Sequence, residues 1–310
     1  MEQGQDFSFR PMRPGDREAV MAICAKIWDG DDYLPASFDA WLADAEGSFT
    51  ACLHGGRIVG LGKTSFTAPG HAWLEGLRKD PDAGVKGVGR ALCLQALRSL
   101  AARPGLRSIR FSTYFANAES RALNERIGFR QAASFSTRAK RLEGEDAVPG
   151  IQASACGPYG VRPAADRDRA WGRLRAAGWF ERFLCASWKA FPADGPETLA
   201  SFAPDAGLFE AAGQDGATAG TLVLSLDRTK RQANVAAMEA DSDMAAAALL
   251  LHAEKACLAA GFPYVEAICP PVRSLLDRFA ACGYASWERE DDFLLYEFPM
   301  ERLAEFAPGA

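Results

Sequence analysis

Seven residues in the first half of the chain, Gly84-Val85-Lys86-Gly87-Val88-Gly89-Arg90, have the types and spacing of an anion cradle. They follow a strand-like stretch ended by Asp80-Pro81 and open a helix-like stretch with Leu92, Leu94, Leu97 and Leu100. Strand, glycine-rich turn and helix in that order present backbone N–H groups and the positive end of a helix to a negative group. A pyrophosphate suits such a turn, with Lys86 and Arg90 adding charge beside it. The plainer alternative is a tight turn that needs glycine only for its backbone angles. Two other phosphate patterns do not fit. A dinucleotide fingerprint wants three glycines early in a parallel β-α-β chain, whereas here the turn follows three antiparallel strands. A Walker loop needs Gly-Lys-Ser/Thr after its glycines, and none follows.

The elements that must position this turn can be read from periodicity. Phe7–Met12 alternates as a strand, and Pro14-Gly15-Asp16 opens a helical pattern with Val20, Ile23, Ile27 and Trp28. A loop from Asp29 to Pro35 leads to a short helix with Phe38, Trp41 and Leu42. Strands Phe49–Leu53 and Ile58–Phe66 make a hairpin around Gly55-Gly56, and a third strand runs over Ala72–Lys79. Beyond the glycine turn and its helix come a strand at Ser108–Thr113 and a helix at Ala118–Arg126, closed by Gly128-Phe129.

The second half repeats the order. Val161-Arg162-Pro163 with Asp166 echoes Phe9-Arg10-Pro11 with Asp16, and Cys282-Gly283-Tyr284 echoes Ile127-Gly128-Phe129 at nearly the same separation. Two landmarks that keep one spacing point to an internal duplication. The polar, Gly- and Pro-bearing run Glu143–Gly150 reads as the join. The expected organisation is α+β (mixed α/β): a domain at 1–142, a linker at 143–157 and a second domain at 158–310. Each domain is a central, mostly antiparallel sheet flanked by helices.

Composition removes several function classes. Lys and Arg total 35 against 40 Asp and Glu, a net charge of −5, whereas wrapping nucleic acid calls for a basic stripe. With 48% hydrophobic and 24% charged residues the chain is globular rather than disordered. No run approaches the ~18 apolar residues of a membrane span. Met1–Asp6 carries neither a basic nor an apolar signal segment, so a cytoplasmic protein is expected. The eight cysteines form no C-x-x-C pair and the three histidines stand apart, so no metal site is expected. Cys93, Cys257 and Cys282 lie in apolar stretches as small buried hydrophobes.

Strand, Gly-x-Gly turn, helix, strand, then Asn117 and Gly128-Phe129 at a helix exit together resemble the GNAT acetyltransferase superfamily over about residues 7–140. The second half looks like a degenerate copy. The resemblance implies that Gly87, Val88, Gly89 and Arg90, with Lys86, hold the pyrophosphate of acetyl-CoA. Backbone groups of Leu77, Arg78 and Lys79 lie along its arm and toward the developing oxyanion, and Asn117 and Asn124 line the pantetheine and sulfur region. Two positions depart from the pattern: Gly84 stands where Arg or Gln is usual, and Asn124 stands where a Tyr often protonates the leaving thiolate. An amide cannot be a general acid, though it can donate a hydrogen bond to sulfur; a helix residue bonded to nearby backbone is the alternative for Asn124.

Within the superfamily, Ile27-Trp28-Asp29-Gly30-Asp31-Asp32-Tyr33-Leu34-Pro35 and Leu74-Glu75-Gly76-Leu77-Arg78 are similar to the branch that includes histidine N-acetyltransferases. That implies an acceptor site at Asp29, Asp32 and Tyr33, and Glu75 as catalytic base on the strand face shared by 73, 75, 77 and 79. A solvated acidic loop and a salt-bridged Glu are the competing readings. An α-amine of pKa ~8 loses its proton at pH 7 for about 1.4 kcal/mol, but a lysine amine costs about 4.6 kcal/mol. A single Glu serves the first case.

The second copy has Ala240-Asp241-Ser242-Asp243-Met244-Ala245 where the glycine turn would be, with carboxylates that would repel phosphate. It reads as non-catalytic, with Trp179, Phe180, Phe183 and Trp188 at helical spacing as core; packing on the first copy or walling the acceptor pocket is the alternative reading. The leading expectation is an acetyl-CoA-dependent N-acetyltransferase acting by direct attack of a small-molecule amine such as histidine. It is expected to be a monomer or homodimer with no nucleic-acid or membrane partner and no metal. The other readings are a protein or peptide N-acetyltransferase and a catalytically silent acyl-CoA-binding sensor or scaffold.

Overall fold

A computed structural model describes residues 6–180, 182–201 and 206–307. The chain divides into two compact units. The first comprises Met1–Thr113, Asn117–Ala132 and Tyr296–Ala310; the second comprises Tyr114–Ala116 and Ala133–Leu295. These bounds differ from the expected halves 1–142 and 158–310, because the C-terminal residues pack in the first unit. Tyr296 stacks on Phe111 with ring centroids 5.1 Å apart, Phe298 meets Phe129 at 5.1 Å, and the Phe298 N–H donates to the Ile109 carbonyl at 2.9 Å. Conversely, Ser136–Arg141 pairs with a strand of the second unit. The expected linker is also pinned there: the Val148 N–H donates to the Arg141 carbonyl, and the Ile151 N–H donates to Glu254 Oε2, each at 2.9 Å.

In the first unit, strands β1 (Ser8–Pro11), β2 (Ser48–His54), β3 (Arg57–Ala68) and β4 (His71–Lys79) form an antiparallel sheet, and β5 (Ser108–Tyr114) joins β4 in parallel. Gly55 and Gly56, at φ 56° and 78°, make the tight β2–β3 turn that needs two left-handed residues. Alternation along β2 sends Phe49 and Ala51 toward helices α1 (Arg17–Cys24) and α2 (Leu34–Ala43), whose Val20, Ile23, Leu34, Phe38 and Trp41 complete one core. Cys52, on the opposite face, packs with Val88 and Leu92 of α3 (Val88–Ala101). Helix α4 (Ala118–Ile127) follows β5 and ends at Gly128, left-handed at φ 119°. Trp28 lies outside α1, in a short 3-10 turn, and not on the helical face its spacing suggested, because the chain turns left-handed at Trp28 and Asp29 (φ 46° and 54°).

The second unit repeats the plan. Strands β7 (Gly160–Pro163), β10 (Gly207–Ala212), β11 (Thr218–Asp227) and β12 (Gln232–Ala240) are antiparallel neighbours; β13 (Tyr264–Cys269) adds parallel to β12, and β6 (Arg130–Arg141) adds antiparallel to β13. Helices α5 (Arg167–Ala176), α6 (Asp243–Ala259) and α7 (Arg273–Ala281) are the counterparts of α1, α3 and α4. One element differs. Where the first unit has α2, the second has a hairpin of β8 (Phe183–Ala186) and β9 (Lys189–Pro192). Trp179, Phe180 and Phe183 are buried as expected, but they are not helical: Gly178 at φ 70° follows the end of α5, and Ser187 and Trp188 turn the hairpin at φ 50° and 64°.

Candidate functional site

The first unit's β4 is interrupted at a defined place. Lys63 faces Glu75 across the β3–β4 ladder, but the next partners along it are Leu61 and Arg78, so β4 carries a bulge at Gly76-Leu77. Gly76 adopts φ 63°, and a Cβ there would collide with the Trp41 ring, so glycine is required for both conformation and space. On its other edge, β4 pairs with β5 only over His71–Trp73 with Ser108–Arg110. Past Trp73 the two parallel strands part, leaving the Leu77–Lys79 edge of β4 without β5 as a partner. An extended amide-bearing chain can pair with such an edge.

The glycine turn lies at the next connection. Gly87 is the N-cap of α3 in the left-handed region, φ 84°, with no side chain capping the helix and no acidic residue in its first turn. Gly84 is also left-handed, φ 69°, and nothing lies within 4 Å of a Cβ built at either residue, so both serve the backbone path. Gly89 serves spacing: a Cβ there would lie 3.1 Å from Leu123 of α4. Gly87, Lys86 and Arg90 are exposed. The helix therefore presents uncapped N–H groups and two cations to solvent, which suits a pyrophosphate. Lys79 is exposed and ion-paired with Glu119 at the start of α4.

The corresponding turn of the second unit is closed to anions. Ser242 caps α6 by accepting from the Ala245 N–H at 3.2 Å, and Asp243 sits in the first turn. Arg173 binds Glu239 at 2.6 Å and Asp241 at 3.1 Å, while Arg278 reaches Asp243 at 3.2 Å. The carboxylates have captured the nearby arginines.

Glu75 is half-buried and accepts a hydrogen bond from the Ser65 hydroxyl at 2.6 Å. The acidic loop is arranged differently from expectation. Asp32 accepts from Arg78 Nε and NH2, each at 2.8 Å, and from the Leu34 N–H at 3.1 Å, and its side chain is wholly out of water. Burial alone would raise the Asp32 carboxyl, but the hydrogen bonds and charge of Arg78 outweigh it and hold its pKa below the usual range. Asp32 is thus a positioning group and not an acceptor contact. The Arg78 side chain likewise turns inward and not toward a cofactor.

Arg78 carries an aromatic wall. Its guanidinium lies 4.5 Å from the Trp28 ring centroid and 5.2 Å from that of Tyr33, and the two rings stack 6.3 Å apart at 27°. Trp28 is 56% exposed and Tyr33 39%, so the wall faces solvent. Burial of its hydroxyl end raises the Tyr33 pKa; Arg78 opposes that rise, and the nearby charges of Glu75 and Asp32 reinforce it. Tyr33, Glu75 and Arg78 therefore belong to one cluster. Asp29 and Asp31 are exposed and, among the described residues, have no ion-pair partner.

The asparagines are engaged within their own helix. The Asn117 side chain caps α4 by accepting from the Ser120 N–H at 3.1 Å. Asn124 is buried, and its amide donates to the Ser120 carbonyl at 2.8 Å. Its donor therefore points along α4 and not toward a thiolate. Among the described residues no cluster of metal ligands occurs, and no helix is long and apolar enough to cross a membrane. The sequence pattern includes Trp28 and Gly76 only within longer segments and gives Ser65 no role at the site. A lone Gly inside a strand pattern was the available signal for the bulge.

The acetyltransferase (GNAT) family model matches residues 18–129, a range that contains the bulge, the glycine turn and α4. Residues 18–129 form a GNAT acetyltransferase domain. Two curated relatives are similar to part of the chain. The human protein named probable N-acetyltransferase 16 is 30% identical over 99 residues, covering 31% of this chain and 26% of that one. A histidine N-acetyltransferase of Oreochromis niloticus is 31% identical over 88 residues, covering 27% and 26%. The chain thus matches about a quarter of the length of these relatives. Among solved structures, a tandem GNAT protein from the clavulanic acid biosynthesis pathway has the same fold over 94% of this chain and 98% of its own, with a TM-score of 0.57 at 16% identity. That likeness is one of fold, and it spans both copies of the duplication seen in the sequence.

Proposed function

We propose that the first unit transfers an acetyl group from acetyl-CoA to the amine of a small molecule by direct attack, with an amino acid such as histidine as acceptor. The observation that carries this reading is the uncapped, glycine-shaped start of α3 next to the unpaired edge of a bulged β4. The N–H groups of Val88, Gly89 and Arg90, with Lys86 and the Arg90 side chain, suit a pyrophosphate. The Leu77–Lys79 edge suits the amides of a pantetheine arm. When bound, acetyl-CoA supplies the thioester that the amine attacks.

The chain's own contribution is proton removal and placement. Glu75, oriented by the Ser65 hydroxyl, takes the proton of the incoming ammonium, directly or through water. Trp28 and Tyr33 give a flat wall for the acceptor, and exposed Asp29 gives it a countercharge. Asp32 and Arg78 hold the wall from behind. The second unit, with no glycine in its turn and its arginines spent on its own carboxylates, does not bind the cofactor.

A catalytically silent acyl-CoA-binding role has one observation in its favour: the side-chain donor at the position where the family often has a thiolate-protonating Tyr, that of Asn124, is turned onto Ser120. Thiol release from acetyl-CoA across a panel of amino acids, peptides and simple amines separates the readings. Turnover with free amino acids is the expected result. CoA binding with no turnover on any amine would establish the silent role, and turnover on peptides alone would move the acceptor to a protein N-terminus.

A further inference from the structure

The two units keep one register where their first strands pair, and at one position they differ sharply. In the first unit Arg10 of β1 lies opposite Ala51 of β2; in the second, Arg162 of β7 lies opposite Glu210 of β10. Ala51 is fully buried, and its counterpart Glu210 is 4% exposed. A carboxylate has thus been placed where its sister fold has a methyl group. Among the described residues that carboxylate has no hydrogen bond or ion pair, and the hydroxyl of Thr221, directly opposite on β11, is buried without a partner. Most of the Glu210 side chain is out of water, and it meets the surface in the lining of a cleft, where a cationic group could complete its carboxylate.

The surroundings have also been rearranged. In the first unit Arg10 binds Asp16 through two hydrogen bonds of 2.6 and 2.8 Å, closing this corner of the fold. In the second unit the matching arginine and aspartate are separated. Asp166 caps α5 by accepting from the Arg169 N–H at 3.0 Å, and Arg162 reaches the Gly216 carbonyl at 3.3 Å. Between them opens a cavity of about 330 Å³, lined by Arg162, Asp166, Arg169, Glu210, Asp215 and Thr218. That is room for one small molecule.

We infer that this cleft of the second unit binds a small zwitterion of the α-amino acid kind, its ammonium facing Glu210 and its carboxylate facing Arg162 and Arg169. The lining selects this class by sign. A simple anion would meet the unpaired Glu210 carboxylate, and a simple cation would meet two arginines. Asp166 and Asp215 each accept a backbone N–H through Oδ1 at 3.0 Å and keep their charge at the rim, while Glu210 is the carboxylate of the lining with no hydrogen bond among the described residues. The site is separate from acetyl transfer and does not depend on it.

The full chain is titrated calorimetrically, without acetyl-CoA, with L-histidine, L-alanine, L-glutamate, N-acetyl-L-alanine and L-alaninamide. The expected result is binding of at least one free amino acid. Glu210→Ala and Arg162→Met each weaken it at least tenfold, and the two blocked alanine derivatives bind at least tenfold more weakly than alanine. Because alanine is what the first unit carries at this position, Glu210→Ala should melt no lower than the parent; Glu210→Gln keeps the side-chain shape and should lose affinity as well. Affinities unchanged in Glu210→Gln and Arg162→Met, or no binding by any free amino acid, would overturn the assignment. Acetyl transfer that persists while these variants leave binding untouched would refute this cleft and leave the first unit's function standing.

Discussion

Asp32 and Arg78, far apart in the chain, hold each other through two hydrogen bonds of 2.8 Å, with both charged groups buried. Two rings, Trp28 and Tyr33, rest on the outer side of that guanidinium. Removing one partner strands the other charge. Asp32→Ala should cost about 3–5 kcal/mol of unfolding free energy, by denaturant titration, and raise the acceptor KM more than the acetyl-CoA KM. The pH dependence has a definite sign. Because the folded pKa of Asp32 is lowered, its stabilisation is complete above the unfolded carboxyl pKa of about 3.9 and fades as pH falls through the folded value. The stability gap between the parent and Asp32→Asn should be level from neutrality down to about pH 5 and narrow below about pH 4.

The glycine turn separates conformation from charge. Gly87→Ala forces a Cβ into the left-handed region and should cost about 1–2 kcal/mol, with weaker CoA binding through the displaced N–H groups. Gly89→Asp adds a carboxylate at the anion site and crowds Leu123. It should abolish CoA binding by calorimetry while the circular dichroism spectrum stays folded. Retained affinity in Gly89→Asp would remove the pyrophosphate from this turn.

What could be read from the chain is what local spacing controls. The glycine turn, the Gly55-Gly56 hairpin and the Gly128-Phe129 helix exit are each decided within a few residues, and each stands where the pattern puts it. The duplication was visible because Arg162-Pro163 and Gly283 repeat Arg10-Pro11 and Gly128. Features set by distant partners were not visible. Nothing near Asp32 announces that Arg78 will claim it, and nothing near Phe298 announces that it packs on Phe129 in the first unit. The β8–β9 hairpin escaped because Ser187 and Trp188 adopt left-handed angles that their residue types disfavour. Asn124 matched a sequence position, but its hydrogen bond to Ser120 depends on a rotamer.

The bulge in β4 depends on a single residue. Gly76→Ala must accommodate a Cβ against the Trp41 ring at a φ of 63°, so it should destabilise by at least about 2 kcal/mol. If the bulge sets the spread between β4 and β5, the acetyl-CoA KM should rise in the surviving folded fraction. Trp41→Phe, which makes room, should recover part of the stability of Gly76→Ala in a double-variant cycle.

Glu75→Gln tests the proposed base with little change in shape, since the amide oxygen can still accept from Ser65. The turnover rate for an amino-acid acceptor should fall about 10²–10⁴-fold, the range for removal of a general base. The rate of Glu75→Gln should climb with pH as the α-amine, with a pKa of ~8, loses its own proton, so the deficit shrinks toward alkaline pH. Ser65→Ala should lower the rate less, because it loosens one carboxylate oxygen and leaves the base in place. CoA affinity should be unchanged in both variants, by calorimetry, because neither residue belongs to the turn. A Glu75→Gln rate and pH profile equal to the parent's would mean that the proton leaves by another route.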